Sequence, residues 1–508
     1  MEDQYLYLGL VLVSLLVVLA SRRRAAAHGV DGLRLPPSPW ALPVIGHLHH
    51  LVGALPHHAM RALSRRYGPV MLLRLGEVQT LVLTSREAAR EVMKTHDTVF
   101  ASRRLTATTR LLTNGGRDLV NAPYGEQWRQ LRKIAVTELL TVRRVLSFRG
   151  IREEEVSTML HEVADAAAKA RPVEMRARLS ALVAETLVQA VMGVRCKDLD
   201  VLLSKLERTV QLTGGFHPAD LWPSSRIACG LSSALRDAQE CQDMVFVVLE
   251  DIIQEHIAKT GDGHTEDLLD VLLKIQKEGG LRFPLDTDVI KFLVFELFGA
   301  GSESAFTTLE WAVSELIKNP KAMQRATAEV RRAFAAGGTV VEERLGEVPY
   351  LHLVMRETLR LHPPVPLLIP RESREACQVL GYDVPQGTQV LVNVWALGRD
   401  ERYWDAPEEF RPERFEHEAA GMDFRGADFE LLPFGGGRRI CPGMAFGTAI
   451  VQYALASLML HFDWELDQPG PGVLDPAQLD MTETFGLTAR RKANLWLRPV
   501  LRVPIPGV

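Results

Sequence analysis

Apolar residues recur at helical spacing over most of this chain, and at a period of two in only a few short stretches. The first strong signal matches neither pattern. Residues Tyr5 to Ala20 form an apolar run, followed at once by Arg22, Arg23 and Arg24. As a helix the run would span about 24 Å, close to the apolar thickness of a thin bilayer. A cleaved leader carries its positive charge ahead of the apolar stretch, whereas Glu2 and Asp3 precede this one and the arginines follow. The run therefore predicts a retained membrane anchor, with everything beyond Arg24 on the cytoplasmic side. The proline-dense stretch Leu35-Pro36-Pro37-Ser38-Pro39-Trp40 predicts a stiff, extended spacer. The chain divides accordingly into an anchor with its basic stop (1–24), a proline-rich hinge (25–50) and one large domain (51–508).

Within that domain, Val70 to Leu75 and Thr80 to Thr84 alternate as strands and read as a hairpin around Gly76. A further strand is predicted over Gln389 to Val394. Beyond Tyr124 helical periodicity dominates, with proline or glycine at most breaks. The longest helix runs from Thr287 to Lys318, capped by Asp286 or by Thr287 itself and stopped before Asn319-Pro320. A helix of that length, about 48 Å, should cross the middle of the molecule. At its centre, Gly299-Ala300-Gly301-Ser302-Glu303-Ser304 puts two glycines where they cost helix stability. Small residues there either let something approach the backbone or serve tight helix packing. The fold class is mainly α with a minor β component.

Composition narrows the function classes. With 508 residues, 47% of them hydrophobic, the chain can bury a large core. A net charge of −4 gives no global attraction to nucleic acid, so no nucleic-acid partner is expected. Five cysteines, Cys196, Cys229, Cys241, Cys377 and Cys441, are too few and scattered for a disulfide framework, and no CxxC pair suggests a metal cluster. The sparse, odd count suits a reducing compartment.

One cysteine stands apart. In Phe434-Gly435-Gly436-Gly437-Arg438-Arg439-Ile440-Cys441-Pro442-Gly443, glycines on both sides allow a tight loop with amides turned toward the sulfur. Such donors stabilise a thiolate. Phe434 can shield the sulfur from water, and the helix expected from Met444 to Leu460 points its positive end at it. This segment matches the pattern F-x-x-G-x-R-x-C-x-G at every defined position and so resembles the cytochrome P-450 family. The resemblance implies the fold of that family, with the long central helix over a haem b whose iron takes Cys441 as its ligand.

Other segments resemble the same family in its own order. Glu357-Thr358-Leu359-Arg360 matches its E-x-x-R element and Pro412-Glu413-Arg414-Phe415 its P-E-R-F element. The resemblance implies a buried structural network of Glu357, Arg360 and Arg414 behind the haem. Trp128 and Arg132 match its W-x-x-x-R helix, and with Arg371 and Arg439 they are implied to contact the haem propionates. Ala300, Gly301 and Glu303 match the oxygen-activation element A-G-x-[DE]-T. Ser304 departs from it, keeping the threonine hydroxyl but not the methyl, which puts coupling efficiency in doubt. Phe434 and Gly443 complete the implied haem contacts. The closest likeness is to plant microsomal A-type enzymes, through Phe148-Arg149-x-Ile151-Arg152-Glu153-Glu154-Glu155 and Leu361-His362-Pro363-Pro364-Val365-Pro366.

What this implies is a monooxygenase of the endoplasmic reticulum membrane, drawing electrons from NADPH through cytochrome P-450 reductase, with cytochrome b5 a further possible donor. Glu303 and Ser304 would handle protons. Five segments would contact substrate: Leu105 to Asn121, Phe216 to Leu221, Phe292 to Phe306, Val365 to Ile369 and Phe485 to Leu487. Their apolar character favours a small lipophilic substrate of terpenoid, indolic or phenolic type. The rival readings are a haem-thiolate isomerase or dehydratase, and a noncatalytic membrane haem-binding protein.

Overall fold

The computed structural model describes residues 32–193, 199–258, 266–467, 475–484 and 486–506. The anchor expected over 1–24 lies outside them, as does the first part of the hinge. The central helix, Thr287–Lys318, forms with the predicted bounds, and Asp286 caps it by accepting from the Val289 amide at 3.0 Å. Asn319 ends it, and Pro320 opens the next helix at a position where its missing N–H costs nothing. The central helix is buried on nearly every side and packs against Met175–Met192 and Met444–His461. Those helices surround one large apolar core.

The glycines at its centre serve packing. A side chain at Gly299 would meet Leu206 Cδ1 at 2.5 Å, and one at Gly301 would meet Leu187 Cδ1 at 3.0 Å. Ala300 is exposed although it sits mid-helix, and Ser304, one turn on, is half-buried. These two mark the side of the helix that faces open space.

The hairpin forms as Val70–Leu75 and Val78–Leu83 around Gly76, which has φ +64°. Gln389–Val392 adds in parallel to its second strand, and Arg371–Glu372 pairs antiparallel beyond that. The third strand stops short of the expected Val394. Asn393 accepts from the Ala396 amide at 2.9 Å and caps a short helix, Val394–Leu397, so the backbone turns there. A second sheet joins Val173–Glu174, Trp496–Leu501 and Phe462–Leu466, in that order with the middle strand central. The described part of the proline segment is docked on the hairpin rather than standing clear of it. Pro37 accepts from the Leu72 amide at 3.0 Å, and the His47 amide donates to Arg74 at 2.7 Å.

Candidate functional site

The cysteine loop is held by its own backbone. The Cys441 amide donates to Phe434 O at 3.0 Å and the Ile440 amide to Gly437 O at 3.0 Å. Gly437 has φ +65°, and a side chain there would run into Met93 O at 2.2 Å, so glycine is required. The Arg438 amide donates to Asp97. Most loop amides are therefore spent on oxygen, not on sulfur. The Gly443 amide is the donor that reaches Cys441, and Gly443 is also the N-cap of Met444–His461, the predicted helix. Burial pushes the Cys441 thiol up, while the Gly443 amide and Arg132 pull it down. Cys441 keeps part of its surface accessible although it is set deep in the protein. A thiol meant to meet a ligand needs both properties. Phe434 packs its ring against Phe424 at 5.2 Å.

Around this loop lies an unusual concentration of buried cations. Arg371 donates to Gly436 O at 2.7 Å, yet its Nη1 has no hydrogen-bond partner. Arg439 stacks over Trp128, 4.2 Å from the ring centroid, and donates to the carbonyls of Ala101, Leu119, Val120 and Ala122. The Trp128 indole N–H donates to Leu119 O at 3.1 Å. Arg132 is half-buried nearby, and burial lowers its pKa. Burial, aggravated by the neighbouring guanidinium of Arg371, pulls Arg439 down to about 9, and burial pulls Arg371 down to about 10. Arg103 belongs to the same cluster. It is buried, donates to Ile369 O and to Pro370 O, and is depressed by burial and by Arg371 and Arg439. No local pattern distinguishes Arg103 in the sequence.

Among the described residues only Asp97, 3.8 Å from Arg371 Nη1, lies within ion-pair distance of these four arginines, so the cluster carries surplus positive charge. A group with two carboxylates would balance it, and the cysteine beside it would ligate the group's metal. The residues present thus fit a haem, with Cys441 as ligand and Arg103, Arg132, Arg371 and Arg439 toward its propionates.

Behind the loop, Glu357 receives Arg360 through two bonds of 2.7 and 2.8 Å and Arg414 through one of 2.9 Å. All three side chains are at most 1% exposed. The expected network therefore forms. Toward the open face of the central helix, Glu303 takes a path the sequence did not signal. Its carboxylate is ion-paired with Arg490, accepts from the Thr488 hydroxyl, and is buried. Ser304 donates its hydroxyl to Ala300 O at 2.8 Å. Glu303 and Ser304 are neighbours in sequence but engage different partners.

A cavity of about 280 Å³ opens beside Ala300 and Ser304. All five predicted substrate segments contribute to its wall, with Phe485 outside the described residues. Three further stretches line it: Leu206 to Val210, Cys241 to Phe246, and the hairpin at Leu75, Val78 and Thr80. Their apolar residues read equally well as core in the sequence. Gly301 is not on the cavity wall.

A deep, accessible thiol, arginines awaiting an anion and an apolar chamber over a long helix define a haem-thiolate oxygenase. A model of the cytochrome P450 family matches residues 36–484, and the chain belongs to that family. It is 46% identical to dolabradiene monooxygenase of Zea mays, over 99% of both chains. It is 45% identical to desmethyl-deoxy-podophyllotoxin synthase of Sinopodophyllum hexandrum, over 96% of both. A zebra fish cytochrome P450 solved with progesterone has the same fold, with a TM-score of 0.72 and 25% identity over 87% of this chain and 99% of that one. The enzyme is a haem-dependent monooxygenase that takes its electrons from a redox partner.

Proposed function

We propose that this chain is a membrane-anchored cytochrome P-450 that hydroxylates or epoxidises a lipophilic plant specialised metabolite. Electrons would come from NADPH through cytochrome P-450 reductase, with cytochrome b5 as an auxiliary donor. The observation that carries the reading is Cys441: a deep-set, partly covered cysteine in a loop whose neighbouring arginines have, among the described residues, only Asp97 within ion-pair distance. Bound haem supplies the oxygen activation that no side chain of the protein can perform. The chain's own part is to hold, shield and orient. Cys441 ligates, and the Gly443 amide steadies its charge. Arg371, with an Nη1 donor to spare, takes a propionate, and Arg103, Arg132 and Arg439 supply positive charge beside it.

Ala300 and Ser304 border the cavity, and the Ser304 hydroxyl would pass or orient a proton there once it leaves Ala300 O. Glu303 is held on the cavity wall by Arg490 and Thr488. The apolar chamber fits relatives named for dolabradiene and for a podophyllotoxin precursor, which favours a terpenoid or polycyclic phenolic substrate. The anchor over 1–24 and the cytoplasmic face of the endoplasmic reticulum follow from the charge pattern around Tyr5 to Ala20. In that setting Arg129, Lys133 and Arg438 offer basic contacts to an acidic reductase, although Arg129 already pairs with Glu126 and Arg438 with Asp97.

The test is the carbon monoxide spectrum of the reduced protein. The wild type should show the red-shifted thiolate band and Cys441→Ser should lose it, because a serine hydroxyl stays protonated and is a poor soft donor. A mutant that keeps the band would show that another residue is the ligand.

A further inference from the structure

Among the described residues four carboxylates line the cavity: Asp118, Asp220, Glu296 and Glu303. Three of them spend both oxygens inside the protein. Asp118 accepts from the backbone and side-chain amides of Asn121 at 3.1 and 2.6 Å. Glu296 accepts from the amides of Leu119 and Val120 at 2.8 and 2.9 Å. Glu303 is held by Thr488 and Arg490. Asp220 differs. Its Oδ1 accepts from the Thr108 amide at 2.9 Å, but its Oδ2 has no hydrogen-bond partner. The residue is 3% exposed, and among the described residues no cation lies within ion-pair distance of it. The hydroxyl of Thr108, whose amide already serves Asp220, is also buried and unpartnered.

An orphaned buried acceptor is destabilising, and more so when it is charged. The orphaned Asp220 oxygen, on the cavity wall, needs a donor. A substrate hydroxyl supplies one without carrying a second charge into the apolar wall around it, as an ammonium would. The frame around Asp220 is fixed. It lies in the short helix Pro218–Leu221, whose Leu221 carbonyl accepts from the Glu77 amide at 2.8 Å. Ser224, just beyond, is bound twice to the Glu77 carboxylate, at 3.0 and 2.5 Å. Gly76 permits this clasp, since a side chain there would meet Leu221 O at 2.5 Å. Leu75, Phe216 and Leu221 supply apolar wall around the carboxylate.

We infer that Asp220 anchors a hydroxyl group of the substrate, so that this enzyme takes an already oxygenated lipophilic skeleton rather than the parent hydrocarbon. The inference rests on reading the cavity as the substrate chamber. It also places the reaction after a step that installs an alcohol on the skeleton.

The test uses the full-length, haem-loaded protein and matched pairs of ligands: abietadiene with abietadienol, and cedrene with cedrol. Dissociation constants come from the change in haem absorption on titration. The wild type should bind each alcohol about tenfold or more tighter than its hydrocarbon. Asp220→Leu should erase that preference, read as the ratio of the two dissociation constants. Asp220→Asn keeps the side-chain shape and the acceptor for the Thr108 amide but puts a neutral amide where the orphaned oxygen stood, and should reduce the preference severalfold, which covers the case in which Asp220→Leu folds poorly. Equal binding of alcohol and hydrocarbon by the wild type overturns the inference, as does a preference that survives Asp220→Leu. Either result means that the orphaned Asp220 oxygen is satisfied by water alone. The reduced carbon monoxide spectrum, taken on the same preparations, separates the two levels. Loss of the thiolate band in the wild type sinks the haem-thiolate reading and the anchor with it. A normal band without alcohol preference sinks the anchor alone.

Discussion

Two glutamates in this protein each hold arginine, and they do so on opposite terms. Glu357 sits in a closed knot with Arg360 and Arg414, every member fully buried and every bond between 2.7 and 2.9 Å. The surplus donors of Arg360 go to the carbonyls of Gly398, Pro407 and Glu409, so nothing is left for a ligand. Glu303 is tied to Arg490 and Thr488, yet it lines the cavity, and Arg490 retains 22% side-chain exposure. The same pair of side chains makes a structural rivet in one place and an ion pair bordering the cavity in the other. What separates them is the number of carbonyls that close around the arginine, not the ion pair itself.

Breaking the rivet should have the larger effect. Glu357→Gln leaves two buried guanidinium groups without their carboxylate, and removing one partner of a buried pair costs about 3–5 kcal/mol. The expected result is little folded, haem-loaded protein, read as the haem-to-protein ratio after purification. A normal yield would mean that carbonyls alone can hold Arg360 and Arg414.

Breaking the reachable pair should spare the fold and strike turnover. Arg490→Gln and Glu303→Gln are each expected to lower turnover about tenfold, with the thiolate spectrum retained. Because the two residues act through one contact, the double variant should be little worse than either single one. Additive losses in that cycle would assign them separate roles.

The smallest change sharpens the comparison at the next residue. Ser304→Thr keeps the bond to Ala300 O but narrows the side-chain rotamers, so product formed per NADPH should rise by about twofold or less. Ser304→Ala should shift the same ratio toward hydrogen peroxide with haem content unchanged. Unchanged coupling in Ser304→Ala would make the hydroxyl a packing feature.

How far the sequence carried the reading follows from the range of each interaction. The central helix was legible to the residue because its stop signal, Asn319-Pro320, and its cap, Asp286, are local. The cysteine loop was legible because its chemistry is packed into ten consecutive residues. Glu357, Arg360 and Arg414 were legible only through family resemblance, since an acid and a base three apart on a helix usually lie on a surface. Arg103 and Arg490 were not legible at all, and Asp220 only as a member of the segment Phe216 to Leu221. Each acquires its meaning from a partner more than a hundred residues away, or from the lack of one. The loop amides expected to face the sulfur proved to be spent mostly on nearby oxygens, because a tight turn satisfies its own donors first.

The second sheet sets an order for making the molecule. Val173 pairs with Leu497, so a strand that leaves the ribosome early waits for one that emerges more than three hundred residues later. The helix Met175–Met192, which follows that early strand directly and flanks the central helix, has its first turn fastened to the Leu495 carbonyl. Until those late residues arrive, the apolar faces of the early helices have no finished edge to close against, and a nascent chain must be sheltered through that interval. A premature stop ahead of Trp496 would therefore leave a chain that carries its cysteine loop intact and still cannot seal the core around it.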